Sequence, residues 1–308
     1  MQAVNSIRVG LLGCGHVGGA LVELLGEQRD DIRERVGVSL DITRVAVRST
    51  SKERSVDIDE ALLTSDARSV VTDPDIDVVV ELIGGIEPAR ELVLTAVAAG
   101  KPVVTGNKEL VANHGAELYA AAAAAGVDLM FEAAVAGGIP LIRPLRESLA
   151  GEPVTRVMGI VNGTTNYILS QMTEAGVDYG AALAEAQSLG YAERDPTADV
   201  EGFDAAAKAA IIATIAFGLD VVAGDVYHEG IADITSTDID FAGRLGYEVK
   251  LLAIVERRGD AVAVRVHPTM LPKEHPHLLA VWDRRFGAHC VKGRCWVYEH
   301  LVGRKKKR

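Results

Sequence analysis

Several features that mark large protein classes are scarce or missing in this 308-residue chain. Three cysteines, Cys14, Cys290 and Cys295, are too few for a disulfide framework. They point to a reducing compartment and a cytoplasmic protein. There is no basic excess: the formal net charge is -11, which disfavours nucleic acid and acidic membrane surfaces as partners. The one concentrated basic run, Gly303 to Arg308, reads as a frayed tail. No apolar stretch approaches a membrane span. The N-terminus carries no charged-then-apolar leader, because Ile7 to Leu12 is short and runs straight into a glycine turn. Internal repeats and Ser- or Pro-rich linkers are also missing. What is left, 48% hydrophobic and 24% charged residues, suits a soluble globular protein with length enough for two domains.

The first half alternates short apolar runs with helix-period segments. Ile7–Leu12, Ile42–Val47, Val78–Leu82, Pro102–Thr105 and Val127–Phe131 read as strands. Val17–Leu25, Pro88–Ala99 and Lys108–Ala125 read as helices. That alternation predicts an α/β, Rossmann-type doubly wound domain over residues 1–150. From about Gly151 the pattern changes. Thr155–Val161 is strand-like, Asn162–Asn166 reads as a turn before an amphipathic stretch at Tyr167–Met172, and helices follow at Tyr179–Ser188 and Phe203–Phe217. Glu248–Glu256 and Ala261–Val266 look like a hairpin. An α+β domain over residues 151–276 is expected, with helices on one face of a largely antiparallel sheet.

Gly13-x-Gly15-x-x-Gly18 follows a strand and opens a helix, the context a dinucleotide fingerprint requires. Gly13 permits the tight turn, Gly15 lets a pyrophosphate approach the backbone, and Gly18 allows close helix–strand packing. The free N–H groups at the helix start, around His16 and Val17, favour phosphate. Cys14 reads as a small filler without chemistry. Where an NAD-selective site usually puts Asp or Glu, this chain has Arg48, with Lys52 beyond. Both suit a 2′-phosphate and favour NADP(H), without excluding NAD; surface charge beside a turn is the bland alternative. Gly84-Gly85 and the run Thr105, Asn107 and Lys108 follow strand C-termini, where open α/β sheets bind ligands.

Between Ala186 and Lys208 the chain holds Glu193, Asp195, Asp199, Glu201 and Asp204 in a loop punctuated by Gly190 and Pro196, then Lys208 one turn after Asp204. Positions i and i+4 share a helix face, so Asp204 and Lys208 can point into one pocket. A lysine beside carboxylates suits proton transfer if burial tunes it. The alternative is a solvated acidic loop with an ordinary surface ion pair.

Taken together, these motifs resemble homoserine dehydrogenase. The family's signature is met by Ala186, Gly190, Tyr191, Asp195, Pro196, Asp199, Val200, Gly202, Asp204 and Lys208. GNKELVA (Gly106–Ala112), FEAAVAGGIP (Phe131–Pro140) and GIVNGTTNYIL (Gly159–Leu169) are similar to that family too. The resemblance runs from about Ile7 to about His275. It implies NAD(P)-dependent interconversion of L-homoserine and L-aspartate 4-semialdehyde, in threonine, methionine and isoleucine biosynthesis, by a homodimer. Lys208 would be the acid/base and Lys108 its partner or a cofactor ligand. Glu193 and Asp204 would hold the substrate's amino group, with Asp199 and Gly190 in the same site. A sodium ion is also implied, on Glu132 and the backbone oxygens of Val135, Gly137 and Ile139. An aspartate-semialdehyde-type enzyme would need a thiol nucleophile, and the resembling region offers only Cys14. The other alternative is a catalytically impaired nucleotide-binding remnant.

Residues 277–308 read as an atypical tail unlike the family, as though truncation or a frameshift had replaced its closing strand and helix. Resequencing that finds no downstream family-like codons would overturn that expectation. A regulatory ACT domain is not expected. His289, Cys290, Cys295 and His300 cluster there, but their spacing matches no standard zinc site.

Overall fold

The computed structural model describes residues 6–137 and 140–274. Cys290, Cys295, Ile139 and the whole 277–308 segment lie outside the described residues. The chain forms two compact units, Met1–Ala134 and Val135–Arg308. That division falls earlier than the pattern-based boundary at 150, because the short π-helical turn Pro144–Ser148 packs on the long helix Phe203–Phe217 of the second unit.

The first unit is built on β1 (Ser6–Leu12), β2 (Ser39–Ala46), β3 (Leu63–Thr64), β4 (Val78–Glu81), β5 (Val103–Thr105) and β6 (Leu129–Met130). These six form one sheet in the order β3-β2-β1-β4-β5-β6, every pair parallel. This is the doubly wound order with its switch between β1 and β4. Helices α1 (His16–Glu27), α2 (Arg29–Val36), α3 (Ala67–Thr72), α4 (Ala89–Ala98) and α5 (Lys108–Ala125) connect the strands. Leu11, Leu12, Val45, Val79 and Val103 are wholly buried, as strands covered on both faces must be. The start of α5 is set by Asn107, whose side-chain oxygen accepts from Leu110 N–H, and its end by left-handed Gly126.

The second unit contains β7 (Arg156–Gly159), α6 (Gly163–Ala175), α7 (Tyr179–Ser188), α8 (Thr197–Val200), α9 (Phe203–Phe217), β8 (Tyr227–His228), α10 (Ser236–Arg244), β9 (Tyr247–Arg258) and β10 (Ala261–Pro272). Its sheet runs β7-β9-β10-β8, antiparallel except where β8 pairs with β10. Helix α6 begins four residues before the amphipathic run from Tyr167. Asn162 accepts from Thr165 N–H and caps it, so the expected turn is already helix. Tyr167, Ile168, Met172, Ala205, Ala209 and Leu251 belong to one buried core cluster of helix and strand residues. Asn166 of α6 donates to Leu251 O at 3.1 Å and accepts from Leu251 N–H at 3.0 Å. It thereby fills the edge of β9 beyond the reach of β7.

Lys250 is buried on β9, its Nζ 2.7 Å from Ser170 Oγ and 3.6 Å from Glu248. Burial pushes its ammonium below the ordinary lysine value, against the pull of Glu248. A lowered lysine pKa is a stability penalty at neutral pH. It fades as pH rises towards the unfolded value of about 10.4. Lys250→Met should therefore raise Tm at pH 7, with the gain shrinking towards pH 10. Thermal unfolding of both proteins checks this, and a Tm loss at pH 7 would show that Ser170 and Glu248 outweigh burial.

Candidate functional site

Within the first unit, the candidate nucleotide-binding residues lie at the C-terminal ends of β1, β4 and β5. Gly13 adopts φ 93°, and a Cβ there would meet Leu82 O at 2.7 Å. A Cβ on Gly18 would come within 2.3 Å of Gly13 O. Both glycines are therefore demanded by the protein's own packing. Gly15 differs: a Cβ there would meet nothing within 4 Å. Nothing in the described chain's own packing requires a glycine there. Gly15, His16 and Val17 are exposed, and Gly15 is the N-cap of α1, which has no side-chain cap and no acidic residue in its first turn. Uncapped N–H groups beneath an open glycine fit a pyrophosphate. Burial pushes the Cys14 thiol up, although Arg54 lies near enough to oppose it. It is held as a neutral thiol, in keeping with its reading as a filler.

Arg48 and Lys52 are exposed beyond the end of β2. Arg54 donates to the carbonyls of Ser49, Thr50 and Lys52 and so shapes the loop that carries them. At the ends of β4 and β5, Gly84 and Gly85 are both left-handed, at φ 79° and 72°, and face open space. Thr105 is wholly buried. Its hydroxyl donates to Glu81 at 2.5 Å and accepts from Asn107 N–H at 3.0 Å. A cofactor contact at Thr105 would therefore fall to its backbone. Lys108 is half-buried in the first turn of α5.

Within the second unit, a polar cluster is assembled by α6, α8 and α9. Asp195 accepts from the N–H and hydroxyl of Thr197, turning the chain into α8. Thr197 also holds the Asp195 carboxyl below the usual range. Gly202, at φ 85°, then reverses the chain into α9, which sets Asp204 in that helix's first turn, where its charge suits the dipole. Lys208 Nζ stands 2.6 Å from Asp204 Oδ2 and 2.8 Å from Val161 O. The Asp204 side chain is 4% exposed and that of Lys208 18%, so the surface-pair alternative does not describe this contact. Asn162, itself buried, donates to Asp204 Oδ2 at 2.8 Å and to Asp199 Oδ1 at 2.6 Å. One amide thus bridges two carboxylates, one of which grips the lysine.

Asp199, Asp204 and Lys208 are brought together in this way. Gly190 and Glu193 sit on the exposed loop after α7, and the Glu193 side chain is not hydrogen-bonded to the cluster. Asn162 and the Val161 carbonyl escaped sequence reasoning, although the NGTTN run lay in plain view. A cap residue three positions before Thr165 signals a helix start, not a bond to residues 37 and 42 positions away. Of the oxygens expected to hold sodium, Glu132 lies in a 3-10 turn, Glu132–Ala134, followed by Ala136 at φ 54°. Among the described residues, no group of three or more His, Cys, Asp or Glu gathers as a metal cluster.

Two family models match the chain. One, the homoserine dehydrogenase NAD binding domain, covers residues 13–132, and the other, homoserine dehydrogenase, covers residues 140–298. The homoserine dehydrogenase of Corynebacterium glutamicum is 51% identical over 97% of this chain and 68% of its own length. The chain belongs to the homoserine dehydrogenase family. The homoserine dehydrogenase of Bacillus subtilis is 46% identical over 97% of this chain and 67% of its own length, so the chain spans about two thirds of such relatives. A homoserine dehydrogenase structure from Thiobacillus denitrificans has a TM-score of 0.84 at 48% identity, covering 91% of this chain and 65% of that one. A hyperthermophilic archaeal homoserine dehydrogenase in complex with NADPH has a TM-score of 0.73 at 28% identity, covering 89% and 84%. The second family match runs to residue 298, past His275 where the quoted motifs end, so the family model extends over much of the 277–308 segment, against the expectation of a tail unlike the family.

Proposed function

We propose that this chain interconverts L-homoserine and L-aspartate 4-semialdehyde with NAD(P), and that Lys208 carries the proton. The observation behind this reading is the buried contact of Lys208 with Asp204, braced by Asn162 and Asp199. Bound NAD(P) supplies the hydride acceptor or donor. Homoserine oxidation removes a hydride from the hydroxyl-bearing carbon and a proton from its oxygen. Lys208 takes that proton when the alcohol is oxidised and returns it when the aldehyde is reduced. Lys108 lines the nucleotide side or assists the relay, and Glu193, Asp199 and Asp204 offer anionic partners to the substrate's ammonium. Gly13, Gly15, His16, Val17, Gly18, Gly84, Thr105 and Asn107 hold the cofactor.

Arg48 and Lys52 favour NADP(H) through a 2′-phosphate. The three cysteines suit the cytoplasm, and a homodimer follows the family resemblance. By the resemblance, Glu132 and the backbone oxygens of Val135, Gly137 and Ile139 would hold a sodium ion, and oxygen donors are what a hard cation takes. Replacing sodium by tetramethylammonium in the assay should lower the rate; an unchanged rate would remove the ion from this account.

The deciding experiment mixes purified protein with homoserine and NADP+ or NAD+ and follows the reduced cofactor's absorbance. Turnover with a lower KM for NADP+ is the expected result. Cofactor binding without turnover would favour the nucleotide-binding remnant, and a lower KM for NAD+ would overturn the role of Arg48.

A further inference from the structure

Glu81, the last residue of β4, is a carboxylate with no solvent exposure, and among the described residues no lysine or arginine forms a salt bridge with it. Its Oε1 accepts from Ile83 N–H at 2.7 Å and Gly84 N–H at 3.3 Å. Its Oε2 accepts from the Thr105 hydroxyl at 2.5 Å. Thr105 accepts from Asn107 N–H, and the Asn107 side chain donates to Gly85 O at 2.6 Å. The bonds close a ring through Glu81, the Ile83–Gly85 turn, Asn107 and Thr105, joining the C-terminal ends of two neighbouring strands. Glu81 accepts from two backbone N–H groups on one oxygen and from a hydroxyl on the other. Glutamine would keep an oxygen for the N–H groups but lose the charge that strengthens those bonds, and its NH2 would turn towards Thr105, whose hydroxyl would have to give up its donor role to accept.

The ring's outer surface is the pair of left-handed glycines, Gly84 and Gly85, which face open space. Its neighbour is the phosphate turn: Leu82 N–H donates to Leu12 O, and Leu82 O crowds Gly13. A doubly wound sheet holds one mononucleotide on each half. The β1–β2 half carries the phosphate turn and Arg48, which suit the adenosine side. The β4–β5 half is left for the nicotinamide nucleotide.

We infer that Glu81 is a positioning residue for the nicotinamide half of the cofactor, acting through the Ile83–Gly85 turn that it holds. This rests on the dehydrogenase reading given above. A charge-assisted acceptor weakened beneath a binding turn weakens the half of the ligand lying on that turn and spares the other half.

The test compares Glu81→Gln with the wild-type chain, measuring binding of NADPH and of 2′-phospho-ADP-ribose, which lacks nicotinamide, by titration calorimetry. Wild-type binding of NADPH is established first; its failure would defeat the dehydrogenase reading rather than this inference. In Glu81→Gln the Kd for NADPH should rise about tenfold, the scale of one buried hydrogen bond, while that for 2′-phospho-ADP-ribose stays within about twofold. The KM for NADP+ should rise with the KM for homoserine unchanged. Equal weakening of both ligands, or weakening of neither, would overturn the inference. If Glu81→Gln does not fold, Thr105→Val and Thr105→Ser carry the test. Valine cuts the hydroxyl link and should reproduce the selective loss, whereas serine restores the link and should rescue NADPH binding. Failure of serine to rescue would count against the inference.

Discussion

Lys208→Arg should keep the fold and lose the reaction. Arginine preserves the positive charge beside Asp204, so the buried pair with its 4%-exposed carboxylate survives. Its guanidinium stays protonated, so it cannot take a proton from an alcohol. Loss of a positioned acid/base group costs about 10²- to 10⁴-fold in rate, and kcat should fall within that range while NADPH binding is retained. Lys208→Ala should lose the same rate and also stability. Removing one partner of a buried pair costs roughly 3–5 kcal/mol, because the remaining charge is stranded. Asn162 still donates to Asp204, which holds the expected loss near the lower end. The pair of variants separates chemistry from scaffolding: both lower kcat to that extent, and only alanine lowers Tm. A Lys208→Arg enzyme with kcat within about threefold of wild type would end the proposal that this lysine carries the proton.

Asn162→Asp is the second large effect, and it isolates a single function of that residue. Aspartate caps a helix as well as asparagine does, so the bond to Thr165 N–H and the start of α6 are kept. What changes is the group between Asp199 and Asp204, which turns from a donor into a third carboxylate. Two charge-assisted bonds disappear and like charges meet. About 3 kcal/mol of stability should go, roughly 6–12 °C in Tm at 2–4 °C per kcal/mol for a chain of this class. The sign of the pH dependence follows from the crowding. Two neighbouring anions raise the new carboxyl's folded pKa above its unfolded value of about 3.9. Its protonated form is therefore favoured in the folded state, and stability present at low pH is lost as pH rises through the folded pKa. Thermal unfolding at pH 5 and pH 8 should show a wider gap from wild type at pH 8. An equal gap at both would mean the aspartate had turned away from its neighbours.

These two positions also show where sequence reasoning stops. Helices α5, α7 and α9 were legible to the residue because their ends are chemical. Asn107 and Asp178 cap two of them, and left-handed Gly126 and Gly218 close two. The parallel sheet followed from apolar runs alternating with helical ones, and the i, i+4 spacing of Asp204 and Lys208 carried straight into a 2.6 Å contact. Helix α2 was missed because Arg29–Val36 has no buried residue and so no apolar period. Strand β3 is two residues long, below any repeat. Glu81 sits at the end of an apolar run as a lone acid, and its partner Thr105 is 24 positions away. Only the register of two parallel strands makes them neighbours. Composition and spacing speak of local order; hydrogen bonds across the fold are decided by topology.

The bond of Asn166 to Leu251 reaches beyond the site. A strand whose outer backbone groups lie bare is a template on which another chain can lay itself down. On β9 the stretch past the end of β7 would be such a template, yet at Leu251 both groups are already answered by one side chain. Helix α6 acts there as a stopper against strand addition. The first turn of that helix is capped by Asn162, so the cover over Leu251 and the grip on the two carboxylates are secured by a single piece of chain.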